Sequence, residues 1–118
     1  QRKSNDEARE VRAAISAWAS AWERKDMKSY IAAYVPGFSG GDANSARWQE
    51  GRRARILNKT RISIELSGVT VEFSGDDAAK ASFRQDYSAD QLNVSGQKVL
   101  EFVKRNGQWL IRKESVGS

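Results

Sequence analysis

"SFRQDYSAD", Ser82–Asp90, decides how the chain is read. Alternation along a strand places Phe83, Gln85 and Tyr87 on one face. On that face an apolar ring gives way to an amide and then to a phenol. Such a gradient has two meanings. It is the wall of a polar hollow, or it is a strand leaving its core. The residues on either side show which face is covered and by what.

From Thr60 onward the apolar residues recur with a period of two. "TRISIEL" alternates Ile62, Ile64 and Leu66, and "VTVEF" alternates Val69, Val71 and Phe73. "SGDD" is a turn. "AAKASFRQDY" continues the alternation through Ala79, Ala81 and Phe83, and "SADQLN" reads as a longer connection. "VSGQKVLEFVKR" and "QWLIRKES" flank Asn106-Gly107, a strong two-residue hairpin signal. That turn predicts Phe102 opposite Ile111, Leu100 opposite Lys113 and Lys98 opposite Ser115. Glu101 meets Arg112 on the other face as a cross-strand ion pair.

Before Thr60 the period is that of helices. Val11, Ile15, Trp18 and Trp22 form one face, widened by Ala14 and Ala21. Ser4 and Glu7 have the spacing of a capping box at its start. Asp26 is the expected N-cap of a second helix, "MKSYIAAYV", with Tyr30, Ile31 and Tyr34 inward and Pro36-Gly37 as its stop. "GFSGGDANS" is a loop. A third helix, "SARWQEGRRARILN", opens near Asn44 or Ser45 and presents Trp48, Arg52, Arg55 and Ile56 together. Helices followed by an antiparallel meander read as one α+β domain over residues 1–118. A strongly curved sheet wrapped around the Trp-bearing helix makes a cone with one open end.

Composition excludes several chemistries. The 118 residues include no Cys and no His. Thiol catalysis, Ser-His and Cys-His systems and the common zinc sites are therefore absent, and no metal or cofactor is expected. No apolar run reaches the ~20 residues of a membrane helix, and no secretory signal pattern is present. The chain opens at Gln1 rather than Met, which predicts a domain excised or processed from a longer protein. The net charge of +5 sits in the first half, where 12 Lys/Arg face 7 Asp/Glu, against 8 and 8 after residue 60. Arg47, Arg52, Arg53, Arg55, Lys59 and Arg61 form a cluster able to draw an acidic partner. No aromatic interleaving or nucleic-acid motif accompanies it.

The motifs "AISAWASAWERKDMKSYIAAYVPGF", "ISI", "ASFRQDYSAD", "KVLEF" and "GQWLIRKE" together resemble the nuclear-transport-factor-2-like (SnoaL-like) superfamily. They are most similar to the C-terminal accessory domains of bacterial L,D-transpeptidase-like envelope proteins. The resemblance runs from about Val11 to Glu114. It implies a cone-shaped α+β fold, frequent sheet-to-sheet dimers, a pocket in the cone and a periplasmic or envelope setting. It does not imply one activity, because the superfamily includes isomerases and cyclases beside plain binding modules.

The residues themselves point to binding. Gln85, Tyr87, Lys98 and Lys113 gather at one end of the concave face, with Tyr34, Trp48 and Arg52 near them. A buried amide, phenol and ammonium need partners. These are either one another and water, or a bound carboxylate, sugar hydroxyl or phosphate. The alternative of an isomerase or cyclase needs a carboxylate deep in the cone. Phase puts Asp86, Glu101 and Glu114 outside, leaving Asp42 and Glu50 near the mouth. Tyr30 or Tyr34 is the available oxyanion donor. The expectation is a non-catalytic ligand-binding or interaction module. The outer sheet face, with Val99, Val103 and Leu110, is the surface for a second copy or a neighbouring domain. Dimerisation alone is the third reading.

Overall fold

The computed structural model describes the backbone of residues 2–116 and the side chains of residues 6–116. Helix α1 (Arg2–Arg24) buries the face that its periodicity marks: Val11, Ile15, Trp18 and Trp22 are all buried. Ser4 lies within this helix, not ahead of it, and its side chain lies outside the described ones. Lys25 ends α1 in the left-handed region, at φ 59. Its amide donates to Trp22 O and that of Asp26 donates to Ala21 O, which closes the helix end. A side chain at positive φ costs free energy. Here the ammonium of Lys25 donates to the carbonyls of Lys59 (2.8 Å) and Thr60, and ties the helix end to the start of the sheet.

Asp26 caps α2 (Met27–Ala32), its carboxylate accepting from the Ser29 amide. The helix is shorter than the sequence suggests. Residues 33–35 instead run beside the last strand. Ile111 N donates to Ala33 O, and Val35 N donates to Ile111 O. Tyr34 is therefore placed by this bridge and not by a helical face. Asn44 caps α3 (Ser45–Leu57) through Arg47 N, and α3 buries Trp48 and Ile56.

The four strands, β1 (Ile62–Phe73), β2 (Ala78–Ala89), β3 (Leu92–Arg105) and β4 (Gln108–Val116), form one antiparallel sheet in chain order. The two apolar runs of β1 belong to a single strand. A bulge between Ser67 and Thr70, with Gly68 at φ 61, shifts the inward phase from even to odd residues. Asp90 and Gln91 make a tight turn where the sequence suggests a longer link. Asp90 sits at φ 55, and its carboxylate accepts from the amides of Thr60 and Arg61. Asn106-Gly107 turns the last hairpin as expected.

The concave face of this sheet carries Ala79, Ala81, Phe83, Leu100, Phe102 and Ile111, all buried beneath α1. Trp18 fills the centre, with its ring 5.4 Å from that of Trp22 and 6.2 Å from that of Phe83. Three helices on a curved antiparallel sheet give the α+β cone. Among the described residues no helix is long and apolar enough to cross a membrane.

Candidate functional site

Strand phase carries Gln85 and Tyr87 into the hollow beneath the helices, two and four residues beyond the buried Phe83. Across the ladder Gln85 faces Gly96 and Tyr87 faces Val94. A Cβ built on Gly96 meets no atom within 4 Å, so the wall opposite Gln85 is open. Helix α3 lies over this end. The result is a hollow of about 410 Å³, walled by Gln85, Tyr87, Lys98 and Arg52, with Arg55 and Lys59 at its edge. Trp22, Ile56, Leu92 and Val94 supply its apolar surface. The Tyr87 ring lies 5.3 Å from that of Trp22.

Behind this hollow lies a buried polar cluster that the sequence does not disclose. In β4 a bulge opens between the pairs Phe102–Ile111 and Glu101–Lys113. The unbroken register would place Lys113 inside and Glu114 outside. The extra residue reverses both. Lys113 is exposed on the outer face, away from the hollow. Glu114 points into the cone with its side chain only 6% exposed. The Glu101–Arg112 pair of the outer face is present at 2.8 Å.

Three groups meet the Glu114 carboxylate. Lys98 Nζ lies 2.7 Å from Oε2, Tyr34 donates its hydroxyl to Oε1 at 2.7 Å, and Arg52 Nη2 approaches Oε1 at 3.4 Å. Trp18 Nε1 donates to Tyr34 Oη at 3.0 Å, and Arg52 Nη1 donates to Tyr30 Oη at 2.9 Å. The Tyr30 and Tyr34 oxygens are 3.2 Å apart. Lys98 Nζ also stands 5.7 Å above the Trp18 ring and 5.5 Å above the Trp22 ring. No buried side-chain polar atom in this cluster lacks a partner, which is what burial demands.

The electrostatics follow from these contacts. Burial pushes the Glu114 carboxyl up, but the Lys98 ammonium and the Arg52 guanidinium outweigh it and hold the group below its ordinary value. Burial raises the Tyr34 phenol well above its ordinary value, and the Tyr30 phenol rises for the same reason. Loss of water also raises Tyr87, with the Asp90 charge adding to it. At neutral pH Glu114 is therefore an ionised carboxylate held by three donors, and the phenols are neutral. A general base needs a pKa near the working pH; the Glu114 carboxyl is held below its ordinary value, with a donor on each oxygen.

The seven residues singled out in the sequence divide into three groups. Gln85, Tyr87, Lys98 and Arg52 line the hollow. Tyr34 and Trp48 are buried behind it; the Trp48 ring packs 4.6 Å from Tyr34 and 4.7 Å from Phe38. Lys113 stands outside. Asp42 and Glu50 are exposed and line no part of the hollow. Two buried polar atoms lack a partner among the described residues: Trp48 Nε1, in the aromatic cluster, and Gln85 Oε1, in the wall of the hollow. Strand phase from Phe83 points to Gln85. Arg55 and Lys59 are legible only as members of a basic run, and Glu114 gives no sequence signal.

Comparison with known proteins agrees with this architecture. No curated protein matches the chain at a significant level. A Bdellovibrio bacteriovorus protein, Bd1075, superposes with a TM-score of 0.82 at 21% identity, over 92% of this chain and 39% of that one. The helical cell shape determining protein Pgp2 of Campylobacter jejuni (K307A mutant) superposes with a TM-score of 0.77 at 18% identity, over 87% of this chain and 38% of its own. This chain thus spans about two fifths of the length of both. An NTF2-like protein of unknown function from Pseudomonas putida KT2440 gives 0.78 at 21% identity, over 92% and 84%. These likenesses show the fold. The Cds6 C-terminal NTF2-like domain family matches residues 10–115, from the third turn of α1 to the end of β4, and so takes in every element that builds the hollow: the chain belongs to that family.

Proposed function

We propose that the domain is a non-catalytic binding module whose ligand occupies the hollow at the open end of the cone. The observation that carries this reading is Gln85 Oε1, a buried acceptor without a donor in the wall of a 410 Å³ cavity. A buried acceptor left unpaired costs ~1–3 kcal/mol, and a small turn of the Gln85 amide toward the hollow lets a ligand hydroxyl or amide N–H offset that cost. Cavities of this size hold small molecules. The engaged state of Glu114 speaks against an isomerase or cyclase, which needs a free, poised base. The likeness to a cell shape determining protein supports an accessory role in a bacterial envelope protein. Val99, Val103 and Leu110 are half-buried by their outer-face neighbours, so a purely dimerising role has less apolar surface to use.

Fragment screening by NMR tests the reading. Ligands should shift the Gln85 side-chain amide, the Tyr87 ring and the Trp22 indole together. Gln85→Leu should abolish those shifts while melting at or slightly above the parent temperature. Hits scattered over the surface, or shifts that survive in Gln85→Leu, would overturn it. Lys98 is unsuitable as a binding probe, because its loss also strips Glu114 of its partner.

A further inference from the structure

The hollow brings together cations, mainly from α3 and the residues after it, and exposed apolar side chains from β3. Four cations line the hollow: Arg52, Arg55, Lys59 and Lys98. Among the described residues no acidic side chain lines it. Behind the wall, Glu114 is shared between Arg52 and Lys98. Four cations against that one carboxylate leave three net positive charges. Arg55 and Lys59 form no ion pair among the described residues, whereas the nearby Asp90 is held by the amides of Thr60 and Arg61. Unpaired cations around a cavity focus an attractive field on anions.

The apolar side of the mouth is equally distinct. The exposed large apolar side chains among the described residues are Leu57, Leu92, Val94 and Val116. Leu92 and Val94 line the hollow, 47% and 51% exposed. Val116 faces Lys98 in the ladder. Leu57 follows Ile56 of the hollow's wall. Two of the four, Leu92 and Val94, therefore stand at the open end. A rim of unsatisfied apolar surface marks a binding region.

We infer that the ligand of this hollow is an amphipathic anion: a carboxylate or phosphate head held by Arg55 and Lys59, joined to an apolar body that covers Leu92 and Val94. The inference rests on the binding-module reading above and gives it a ligand class. Lys98 and Arg52 contribute field but are already engaged by Glu114. A hydroxyl or N–H near the head satisfies Gln85 Oε1. The head is recognised by charge-assisted hydrogen bonds, and the body by burial of apolar surface.

A matched probe set separates these elements. Octanoate, octyl phosphate, octyl glucoside and octyltrimethylammonium, each below its micelle concentration, are titrated into the full chain and followed by NMR at Gln85, Gly96 and the Trp22 indole. Acetate and inorganic phosphate serve as tail-free heads. At least one octyl anion should bind at the mouth at least about tenfold more tightly than the neutral and cationic octyl probes and than its own head alone. Its affinity should fall as salt rises. Arg55→Ala with Lys59→Ala should weaken it at least about tenfold; Arg55 is exposed and Lys59 half-buried, so affinity is compared at a temperature where the circular dichroism of the double variant matches that of the parent. Equal binding of octyl glucoside, or of the tail-free heads, would overturn the inference and leave the binding module standing. Absence of every probe from the mouth would overturn both. The relative affinities of octanoate and octyl phosphate assign the head.

Discussion

At Glu114 an ammonium, a guanidinium and a phenol converge on one carboxylate in the wall of the cone. Removing the charge but keeping the shape, as in Glu114→Gln, leaves Lys98 and Arg52 facing each other with most of their water gone. Breaking a buried pair costs ~3–5 kcal/mol. The 15% and 22% exposure of the two cations puts the expected loss near the low end, roughly 3 kcal/mol at neutral pH by urea titration. The pH dependence has a definite sign. The folded-state pKa lies below the ordinary value of 4.5. The ionised carboxylate therefore stabilises the fold above pH 4.5, and that stability is lost as pH falls through the lower folded value. The gap between the parent and Glu114→Gln should narrow on acidification below about 4.5; a constant gap down to pH 2 would contradict the ion-pair account. Gln85 differs from Glu114 although both face inward, because its acceptor has no partner to lose.

The elements carry the site through their ends and their irregularities. β1 keeps Ile62, Ile64 and Leu66 inward and then Val69, Val71 and Phe73, and the odd step between them is the bulge at Gly68. That phase slip is visible in the sequence, since two clean alternations are joined by Ser67-Gly68. A β-branched side chain at φ 61 is strained. Gly68→Val should cost ~1–2 kcal/mol in thermal melts, with the outer-face and core residues keeping their places. An unchanged melting temperature would mean that the bulge slides to another position. The bulge in β4 has no such mark. "WLIRKES" alternates without a break, contains no Gly, and by its period places Lys113 inside and Glu114 outside. The choice is made by partners distant in the chain. Lys98 and Arg52 already bring two cations to that face, and a third would be buried unpaired, whereas a carboxylate neutralises them. Tyr34 shows the same dependence: its hydroxyl is positioned by the pairing of residues 33–35 with Ile111, not by continuation of α2.

For the whole molecule, the stability of the cone and the openness of its mouth are separate properties. Trp18, fully buried, touches Trp22, Phe83, Lys98 and Tyr34 and joins α1 to the sheet and to the polar cluster. Trp18→Ala should cost ~3–5 kcal/mol and release the Tyr34–Glu114 contact, measured as a lower melting temperature and an upfield-shifted or lost Tyr34 hydroxyl resonance. A loss below ~1 kcal/mol would show that the sheet closes without it. The sequence alone determined the helices, the antiparallel order of the strands, the last hairpin and the inward phase of Phe83, Gln85 and Tyr87. Those features depend on local periodicity, caps and turn residues, which act over a few positions. Only the tertiary structure decided that Glu114 enters the cone, that Lys113 leaves it, and that Arg55 and Lys59 flank the mouth. Those outcomes depend on charge pairing and desolvation between residues tens of positions apart, and no local pattern encodes them.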